Sequence, residues 1–191
     1  MRAANDDTVI TGNGGHDRAI LGSAARDAGL TANFYTYYGG VIGTPTAVGP
    51  AGENRMRMVA YWHPNITPDY PGEKLYQDFK KRFGEEFYAV ATYSALTLLA
   101  DAMKRTKSTD PLRVAYAMEG AKWAGVNGDI EMRAADHQLL QPLWIVSWTK
   151  VGGPNKNDIE KTGYTWKTEV SYPTYVASQP TSCTMKRPTL P

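Results

Sequence analysis

The sequence TVITGNGG at residues 8–15 is followed, after a helical stretch, by FYTYY at residues 34–38, and these two segments decide the fold. The β-branched run that opens the first segment is typical of a buried strand, and the glycine-rich turn after it leads into a helix. Asp17 is predicted to cap this helix, which runs to Asp27, and Gly29 is placed to end it. Strand, turn, helix and strand in this order predict one crossover unit of a parallel sheet.

Downstream of this unit the pattern changes from strands to helices. Residues 57–62 are predicted to form a third strand, and the proline-rich run at residues 63–71 marks a crossing or linker. The strongest helical pattern then extends from Phe87 to Lys107. Its predicted apolar stripe consists of Tyr88, Thr92, Leu96, Leu99 and Met103.

The last third of the chain returns to strands. Asp110–Pro111 is predicted to cap a further helix, and Gly125–Gly128 to form a turn. Residues 129–133 and 143–149 are predicted strands. The remainder, from Gly152 onward, is polar and proline-rich, which predicts a strap over the surface with a loose end.

The composition is that of an ordinary globular protein and excludes several classes. Of 191 residues, 42% are hydrophobic and 21% charged, and the formal net charge of +2 with scattered cations argues against nucleic-acid binding. No apolar run approaches the roughly 20 residues that span a bilayer. The first residues are polar and lead directly to a strand, so no signal peptide is visible. The single cysteine, Cys183, has no internal disulfide partner.

The turn at residues 12–15 is the sharpest candidate for a binding site. A strand that runs into a glycine turn and a helix N-terminus presents free backbone N–H groups, which suit a carboxylate or a phosphate. We therefore predict that Gly14 and Gly15 face a ligand, with a plain tight turn as the alternative. Asp17 stands where a dinucleotide fingerprint has its third glycine, and no phosphate-loop lysine follows.

Tyrosines supply the other candidates. Tyr37 and Tyr38 end the second strand, where ligands of open α/β sheets bind, and successive side chains alternate faces, so at most one points into a given cleft. A purely structural tyrosine is the alternative here. Tyr88 lies at the predicted start of the long helix and lines a cleft if that end of the helix faces one.

No catalytic, metal or cofactor site is predicted. The three histidines, His16, His63 and His137, are far apart and have no second ligand at metal-binding spacing. The serines lack the context of an activated nucleophile. These patterns favour a non-enzymatic protein without a cofactor.

An ordered series of segments resembles the second lobe of the leucine/isoleucine/valine-type periplasmic binding proteins of ABC transporters. The resemblance covers nearly the whole chain, and no single motif in it is diagnostic. The segments are TVITGN at residues 8–13, DAGL at 27–30, NFYTYY at 33–38, ATYSAL at 91–96, GDIEMR at 128–133, DHQ at 136–138, PLWI at 142–145 and the tail at 175–188.

The resemblance implies a partial type I periplasmic binding protein fold, an α/β fold with a Rossmann-like parallel sheet lobe plus helices that belong to a second lobe. In this scheme residues 1–62 belong to lobe two, residues 63–127 pack on lobe one, residues 128–151 cross back to lobe two, and residues 152–191 form a carboxy-terminal strap. The implied function is solute binding for an ABC transporter membrane permease, in the periplasm, with the signal peptide and first lobe outside this chain. A ligand-sensing domain of a regulator or receptor on the same fold is the alternative.

The family's binding positions carry over in part. In the family, an aromatic residue lines the cleft at about the position of Gly14, and an acidic residue holds the ligand's ammonium at about the position of Tyr38. This chain departs from the family at both positions. The family's aromatic residue at the start of the long helix is retained here as Tyr88. A buried ammonium without a charge partner costs several kcal/mol. The resemblance implies branched-chain amino acids or related small solutes. Loss of the acid argues against an ordinary α-amino acid, and proteins that resemble this family also bind amides, urea and aromatic acids.

Overall fold

The computed structural model describes residues 7–13, 15–37, 40–66, 72–176, 178–184 and 186–189. The chain divides into two compact units, the first formed by Met1–Tyr88 with Leu143–Ser171 and the second by Ala89–Pro142 with Tyr172–Pro191. In chain order the elements are β1 (Thr8–Thr11), α1 (Gly15–Asp27), β2 (Asn33–Thr36), α2 (Thr44–Val48), a 3₁₀ turn (Gly49–Gly52), β3 (Met56–Ala60), α3 (Gly72–Phe83), α4 (Val90–Thr106), α5 (Pro111–Met118), β4 (Lys122–Gly125), β5 (Gly128–Met132), β6 (Leu139–Leu140), β7 (Leu143–Lys150) and β8 (Tyr164–Tyr172).

The first unit contains a five-stranded sheet in the order β1-β2-β3-β7-β8. β1, β2 and β3 are parallel neighbours, with Thr11 opposite Thr36 and Thr36 opposite Met58, which confirms the predicted crossover unit. β7 runs antiparallel to β3, with Val146 opposite Met58. The three predicted strands were correct in type and order. β1 has its predicted ends, and the ends of β2 and β3 moved by one or two residues.

The end of α1 follows the prediction, and its beginning does not. Gly29 has a left-handed φ of 61°, and its N–H donates to Arg26 O (2.9 Å) while Leu30 N–H donates to Ala25 O (2.9 Å). This pair of hydrogen bonds is typical of helices that end at a glycine, because only glycine adopts positive φ without steric cost. The helix begins at Gly15, so Asp17 lies in its first turn and is not its capping residue.

The core of the first unit lies on the helix-covered face of the sheet. Trp148 is fully buried, its ring centroid lies 4.8 Å from that of Trp166 and 5.9 Å from that of Tyr164, and its Nε1 donates to Gly49 O at 2.9 Å. A second cluster holds α1 against β1 and β2. The two clusters comprise Val48, Met56, Met58, Ala60, Trp144, Val146, Trp148, Ile159, Tyr164 and Trp166, and Val9, Ala32 and Phe34.

The prediction of a surface strap over residues 152–191 is wrong for the central part of that segment. Tyr164–Tyr172 forms β8 in the main sheet, where Tyr164 is 7% and Trp166 2% exposed. Alternate residues of this strand are aromatic or β-branched, and Lys167 and Glu169 fall between them, which is the two-residue period of a strand. The proline-rich surroundings obscured that period.

The predicted crossing at His63–Pro64 is fastened into the first unit by buried amides. Asn65 Nδ2 donates to Thr165 Oγ1 (2.7 Å) and to Trp166 O (2.9 Å), and Asn157 Nδ2 donates to Pro64 O (2.6 Å). Gln77 of α3 donates to Asn157 Oδ1 at 2.7 Å. The first unit therefore continues past residue 62 as far as Tyr88.

The second unit combines α4 and α5 with the three-stranded antiparallel sheet β4-β5-β6. α4 begins at Val90, three residues after its predicted start. In its predicted apolar stripe Leu96 is 62% and Met103 38% exposed, whereas Leu99 is half-buried. The buried stripe is a different one, formed by Val90, Ser94, Leu98 and Ala102.

Capping and turn chemistry in this unit follow the predictions. The Asp110 carboxylate accepts the N–H of Arg113 at 2.9 Å, and Pro111 occupies the first helical position of α5. The Gly125–Gly128 turn joins β4 to β5. The short strands β4 and β6 were not predicted, because neither shows a clear alternating pattern.

The end of the chain lies on the second unit and is held there by charged groups. The Arg133 guanidinium binds the Asp136 carboxylate (2.5 Å) and also donates to Gln179 O (2.6 Å). Arg187 pairs with Glu119 at 2.9 Å, and the Tyr116 hydroxyl donates to Pro188 O at 2.7 Å. The predicted loose end is therefore bound at several points. Within the described residues, no helix is both long and apolar enough to span a membrane.

The buried His63 gives the fold a testable dependence on pH. His63 is 1% exposed, and its Nε2 lies 2.8 Å from Thr168 Oγ1. Burial lowers the pKa of His63 from 6.5 to about 4, against the opposing effect of a hydrogen bond with the Trp166 backbone. The unfolded chain therefore binds more protons than the folded chain between these two pH values.

Stability is accordingly expected to fall as the pH is lowered from 7 to 4.5, with His63 accounting for about 2–3 kcal/mol of the loss in unfolding free energy. Urea denaturation at both pH values measures this. In His63→Gln the difference between the two pH values should shrink by that amount. An unchanged difference would show that His63 is not held neutral in the folded state.

Candidate functional site

The candidate site of the first unit is the edge of the sheet where the three parallel strands end. Because Thr11 is paired with Thr36 and Thr36 with Met58, the carboxyl ends of β1, β2 and β3 lie side by side. Open α/β sheets bind their ligands outside this edge. The segments that leave it are the turn before α1, the loop before α2 and the run from Tyr61 toward α3.

The turn after β1 is organised by its own side chains. Thr11 Oγ1 donates to Asn13 Oδ1 at 2.6 Å, and Asn13 N–H donates back to Thr11 Oγ1 at 3.1 Å. Thr11 is buried, and α1 starts two residues after Asn13. The positive end of the helix dipole and the first backbone N–H groups of α1 therefore lie at the sheet edge. Gly14 falls outside the described residues.

The loop after β2 also leaves from this edge. Tyr37 is 64% exposed there, whereas Tyr38 falls outside the described residues. Gly43 has a φ of 80°, a left-handed conformation that directs the chain into α2. The predicted cleft position of Tyr38 stays a prediction, and Tyr37 presents an aromatic ring to solvent next to it.

Tyr88 is joined to this loop through Glu160. The Tyr88 hydroxyl donates to Glu160 Oε1 at 2.8 Å, and the N–H of Gly43 donates to the same oxygen at 2.7 Å. Glu160 Oε2 accepts both the N–H (3.0 Å) and the hydroxyl (2.6 Å) of Thr46. Burial and the neighbouring Glu160 carboxylate raise the pKa of the Tyr88 hydroxyl, which keeps it protonated as the donor.

A second carboxylate supports the same segment. Glu86 accepts the hydroxyl of Tyr76 (2.6 Å) and the N–H of Glu160 (3.1 Å), and it pairs with Lys80 at 2.7 Å. The ring of Phe87 lies edge-on to that of Trp62, which follows β3, with 5.8 Å between centroids. These contacts fix Tyr88 just before α4, near the carboxyl end of β3.

Tyr88 therefore has a defined role in the structure beside the predicted role in ligand binding. Its hydroxyl is occupied by Glu160, so the part of the side chain that remains for a solute is the ring. The structure brings Tyr88, the loop after β2 and the ends of the parallel strands into one region. Whether Gly14, Gly15, Tyr38 and Tyr88 contact a ligand stays a prediction.

Sequence reasoning missed Glu160, the residue that connects this region. Glu160 and Lys161 both have positive φ, 53° and 57°, in the loop before β8. Non-glycine residues rarely adopt that conformation, and such residues often mark a site where surrounding contacts define the backbone. The sequence gives no periodic signal for it, because its partners lie more than 70 residues away.

The described residues contain no group of three or more His, Cys, Asp or Glu side chains placed to hold a metal ion. His63 is buried in the Asn65 network, and His137 lies 3.1 Å from Glu119 in the second unit.

Comparison with known proteins gives a consistent family. The family model described as periplasmic binding protein matches residues 1–154. The chain is 32% identical over 200 residues to the Leu/Ile/Val-binding protein homolog 4 of Brucella abortus (strain 2308), and the match covers 98% of this chain and 46% of that relative. The homologue of the same name from Brucella suis biovar 1 gives the same values. The chain thus spans about half the length of the curated relatives it matches.

Solved structures agree with this result. The chain superposes with a TM-score of 0.82 and 28% identity on the leucine-, isoleucine-, valine-, threonine- and alanine-binding protein of Brucella ovis in its closed conformation, covering 98% of this chain and 49% of that one. A solute-binding protein of an ABC transporter from Rhodopseudomonas palustris BisB5, in complex with 3,4-dihydroxybenzoic acid, gives a TM-score of 0.77 at 19% identity, covering 91% of this chain and 47% of that one, and supports the fold alone.

The Glu160 connection can be tested by replacing its carboxylate with an amide. In Glu160→Gln an NH₂ group replaces one carboxylate oxygen and faces the N–H or O–H donors that this oxygen accepted in the parent chain. About 1–3 kcal/mol of unfolding free energy should therefore be lost. Urea denaturation measures the change. Glu85→Gln, the same substitution at an exposed glutamate, serves as the control and should change stability by less than about 0.5 kcal/mol. Equal effects of the two variants would contradict the assigned role of Glu160.

Proposed function

We propose that this chain, which belongs to the periplasmic binding protein family, supplies one half of a solute-binding protein that serves an ABC transporter. The family is one of binding proteins rather than enzymes, in agreement with the sequence prediction. The chain matches about half of each relative, so a complete protein brings a further part of similar size. In the complete protein the solute is held between two walls, and this chain supplies one of them.

One observation carries the location of the solute. β1, β2 and β3 end side by side, and α1 begins at the same edge with its backbone N–H groups. This arrangement suits a carboxylate, because a helix N-terminus combines free donors with the positive end of the helix dipole. We assign the backbone N–H groups of Gly14 and Gly15 to the carboxylate and Tyr38 and the ring of Tyr88 to the rest of the solute.

The solute class follows from that chemistry. The Brucella ovis protein is named for five amino acids and the Rhodopseudomonas palustris protein holds a dihydroxybenzoic acid, and all these solutes carry a carboxylate. In this chain Glu160, the carboxylate nearest to Tyr88, is already saturated by Gly43, Thr46 and Tyr88. Glu160 therefore has little capacity left to accept hydrogen bonds from a ligand ammonium. Branched-chain amino acids, amides and aromatic acids should all be screened as solutes.

The mechanism is closure of the complete protein around its solute, followed by recognition of the closed form by a membrane permease. Closure removes the solute from water, and small-molecule sites typically bury roughly 70–90% of the ligand surface. Hydrogen bonds in such a cleft then act in a medium of low dielectric, where they are stronger than in water. The family's description as periplasmic binding proteins supports the periplasm as the compartment of this process.

The contribution of the Tyr88 ring is testable in a full-length protein that contains this chain. Tyr88→Ala should weaken solute binding by about 2 kcal/mol, or roughly 30-fold, because an aromatic side chain in a closed cleft is a dominant contact. Isothermal titration calorimetry with the solute found by screening measures this. Tyr88→Phe keeps the ring and should stay within about threefold of the parent affinity.

Two controls accompany this experiment. Tyr175→Ala removes a tyrosine that is 74% exposed in the second unit and should leave the affinity unchanged. Thermal denaturation of each variant separates loss of fold from loss of contact. Unchanged affinity in Tyr88→Ala would remove Tyr88 from the site.

The isolated 191-residue chain is expected to bind the same solute much more weakly. With only one wall, about half of the ligand burial is lost, and the polar contacts stay in water, where each hydrogen bond contributes only about 1 kcal/mol. A micromolar site, about −8 kcal/mol, should therefore fall to millimolar or weaker. Calorimetry on the purified chain measures this, and micromolar binding would show that the chain forms a complete site by itself.

A further inference from the structure

The edge of the main sheet opposite the candidate site carries a groove of about 470 Å³. It lies where α1 ends and β3 begins, and its walls include Arg26, Leu30, Ala51 and Arg55. α1 starts at the carboxyl edge of the parallel strands, and at about 1.5 Å per residue its 13 residues carry the chain roughly 20 Å away from that edge. A volume of this size falls in the range of small-molecule sites. The groove is therefore a second concave surface, separate from the proposed solute site.

An apolar pocket adjoins the groove and shares four wall residues with it. α1 lines this pocket with Gly22 and Ala25, whose small size leaves space between the helix and the buried side chains of Phe34, Val48 and Met56. The volume of the pocket is about 40 Å³, which holds roughly three water-sized groups. Because these walls are apolar, the space suits a short hydrocarbon group better than it suits water.

Two arginines in the walls shared by the groove and the pocket keep unused hydrogen-bond donors. Arg26 is oriented by two contacts, since its Nε donates to Asp27 Oδ1 at 3.1 Å and its Nη1 donates to Ala47 O at 2.8 Å. Its Nη2 donates to no residue that the structure describes. The side chain of Arg55 is exposed and has no hydrogen bond or ion pair with any described residue. A guanidinium matches a carboxylate, because two of its N–H groups can bind the two carboxylate oxygens.

The negative groups near the groove leave Arg55 unpaired. Asp27 is engaged by the neighbouring arginine, and its side chain is 67% exposed, so water screens its charge. Glu53 lines the groove, but its Oε2 accepts the hydroxyl of Tyr164 at 3.3 Å and lies 3.9 Å from Lys150 Nζ. The carbonyl end of α1 carries about half a negative charge, which the two guanidinium groups outweigh. The groove therefore favours an anion.

We propose that the groove is a second binding site, which takes a small organic acid. The carboxylate of the acid pairs with Arg55 and Arg26, and a short apolar end of about three carbon atoms enters the adjoining pocket. A bare inorganic anion leaves the pocket empty, and a neutral molecule leaves Arg55 unpaired, so an acid with a short apolar end satisfies both features. The site is independent of the solute binding proposed above, because it uses none of the residues assigned to that function.

The test is a titration of the ¹⁵N-labelled chain with sodium isobutyrate, followed by NMR of the backbone amides at constant ionic strength. Isobutyrate combines a carboxylate with a branched apolar end of the required size. Saturable shifts are expected at Arg26, Leu30 and residues 51–55, with a dissociation constant on the order of 1 mM, because few groups contact a ligand in an open groove. Isobutyramide has the same shape without the charge and should bind about tenfold more weakly. Acetate keeps the charge but lacks the branched end, and it should also bind about tenfold more weakly.

Replacement of Arg55 tests the assigned contact. Arg55→Gln should weaken isobutyrate binding about tenfold, because the charged donor pair is lost. The variant should keep the thermal stability of the parent chain, since the Arg55 side chain bonds to no described residue. Arg113→Gln is the matched control, because Arg113 is an exposed arginine of α5 whose side chain is likewise without a described partner. It should leave the affinity for isobutyrate unchanged.

Several results would overturn the proposal. Equal affinities for isobutyrate and acetate would show binding of an adventitious ion only, and equal affinities for isobutyrate and isobutyramide would show that the arginines take no part. Shifts confined to Gly15 and Tyr37 would place isobutyrate at the proposed solute site instead. Equal effects of Arg55→Gln and Arg113→Gln, or the absence of saturable shifts at the groove, would equally remove the second site.

Discussion

The antiparallel pairing of β3 with β7 is the contact on which the first unit depends. It joins Met56–Ala60 to Leu143–Lys150, which are separated along the chain by the whole first segment of the second unit. The pairing places Trp144, Val146 and Trp148 on the face that β3 already presents to α2. Burial of large aromatic side chains is among the strongest stabilising contributions in a core. Without β7 and β8, the crossover unit β1–α1–β2–β3 would have a sheet but only a small part of its core.

The elements that were predicted correctly are those whose signals come from residues close together in the sequence. β1, α1, β2 and β3 were predicted because their signals, a β-branched run, a glycine stop and the spacing of strands, are all local. The face of α4 was predicted wrongly, because Leu96 and Met103 are apolar yet exposed, and the buried face includes Ser94 and Ala102. Hydrophobic spacing gives the helix, but which stripe is buried depends on the elements that pack on it.

In the candidate site, too, the local features were predicted from the sequence and the long-range contacts were not. The sheet edge and its turns were predicted from the order of strands, whereas Glu160, which holds Tyr88 to the loop after β2, was not. A carboxylate that links two loops across more than 70 residues leaves no periodic trace in the sequence. The exposure of Ile10 was equally invisible, because Ile10 and Val9 look alike as neighbours in a β-branched strand.

The division of the first unit into two chain segments has a consequence for synthesis on the ribosome. The nascent chain completes β1, β2 and β3 early, but the tryptophans that fill their core arrive only with β7 and β8. At typical elongation rates this delay is on the order of ten seconds. During that interval the contiguous segment Ala89–Pro142 can fold before the sheet that precedes it is complete. The order of assembly can therefore differ from the order of translation, and an unpaired β3 edge stays available to other strands until β7 arrives.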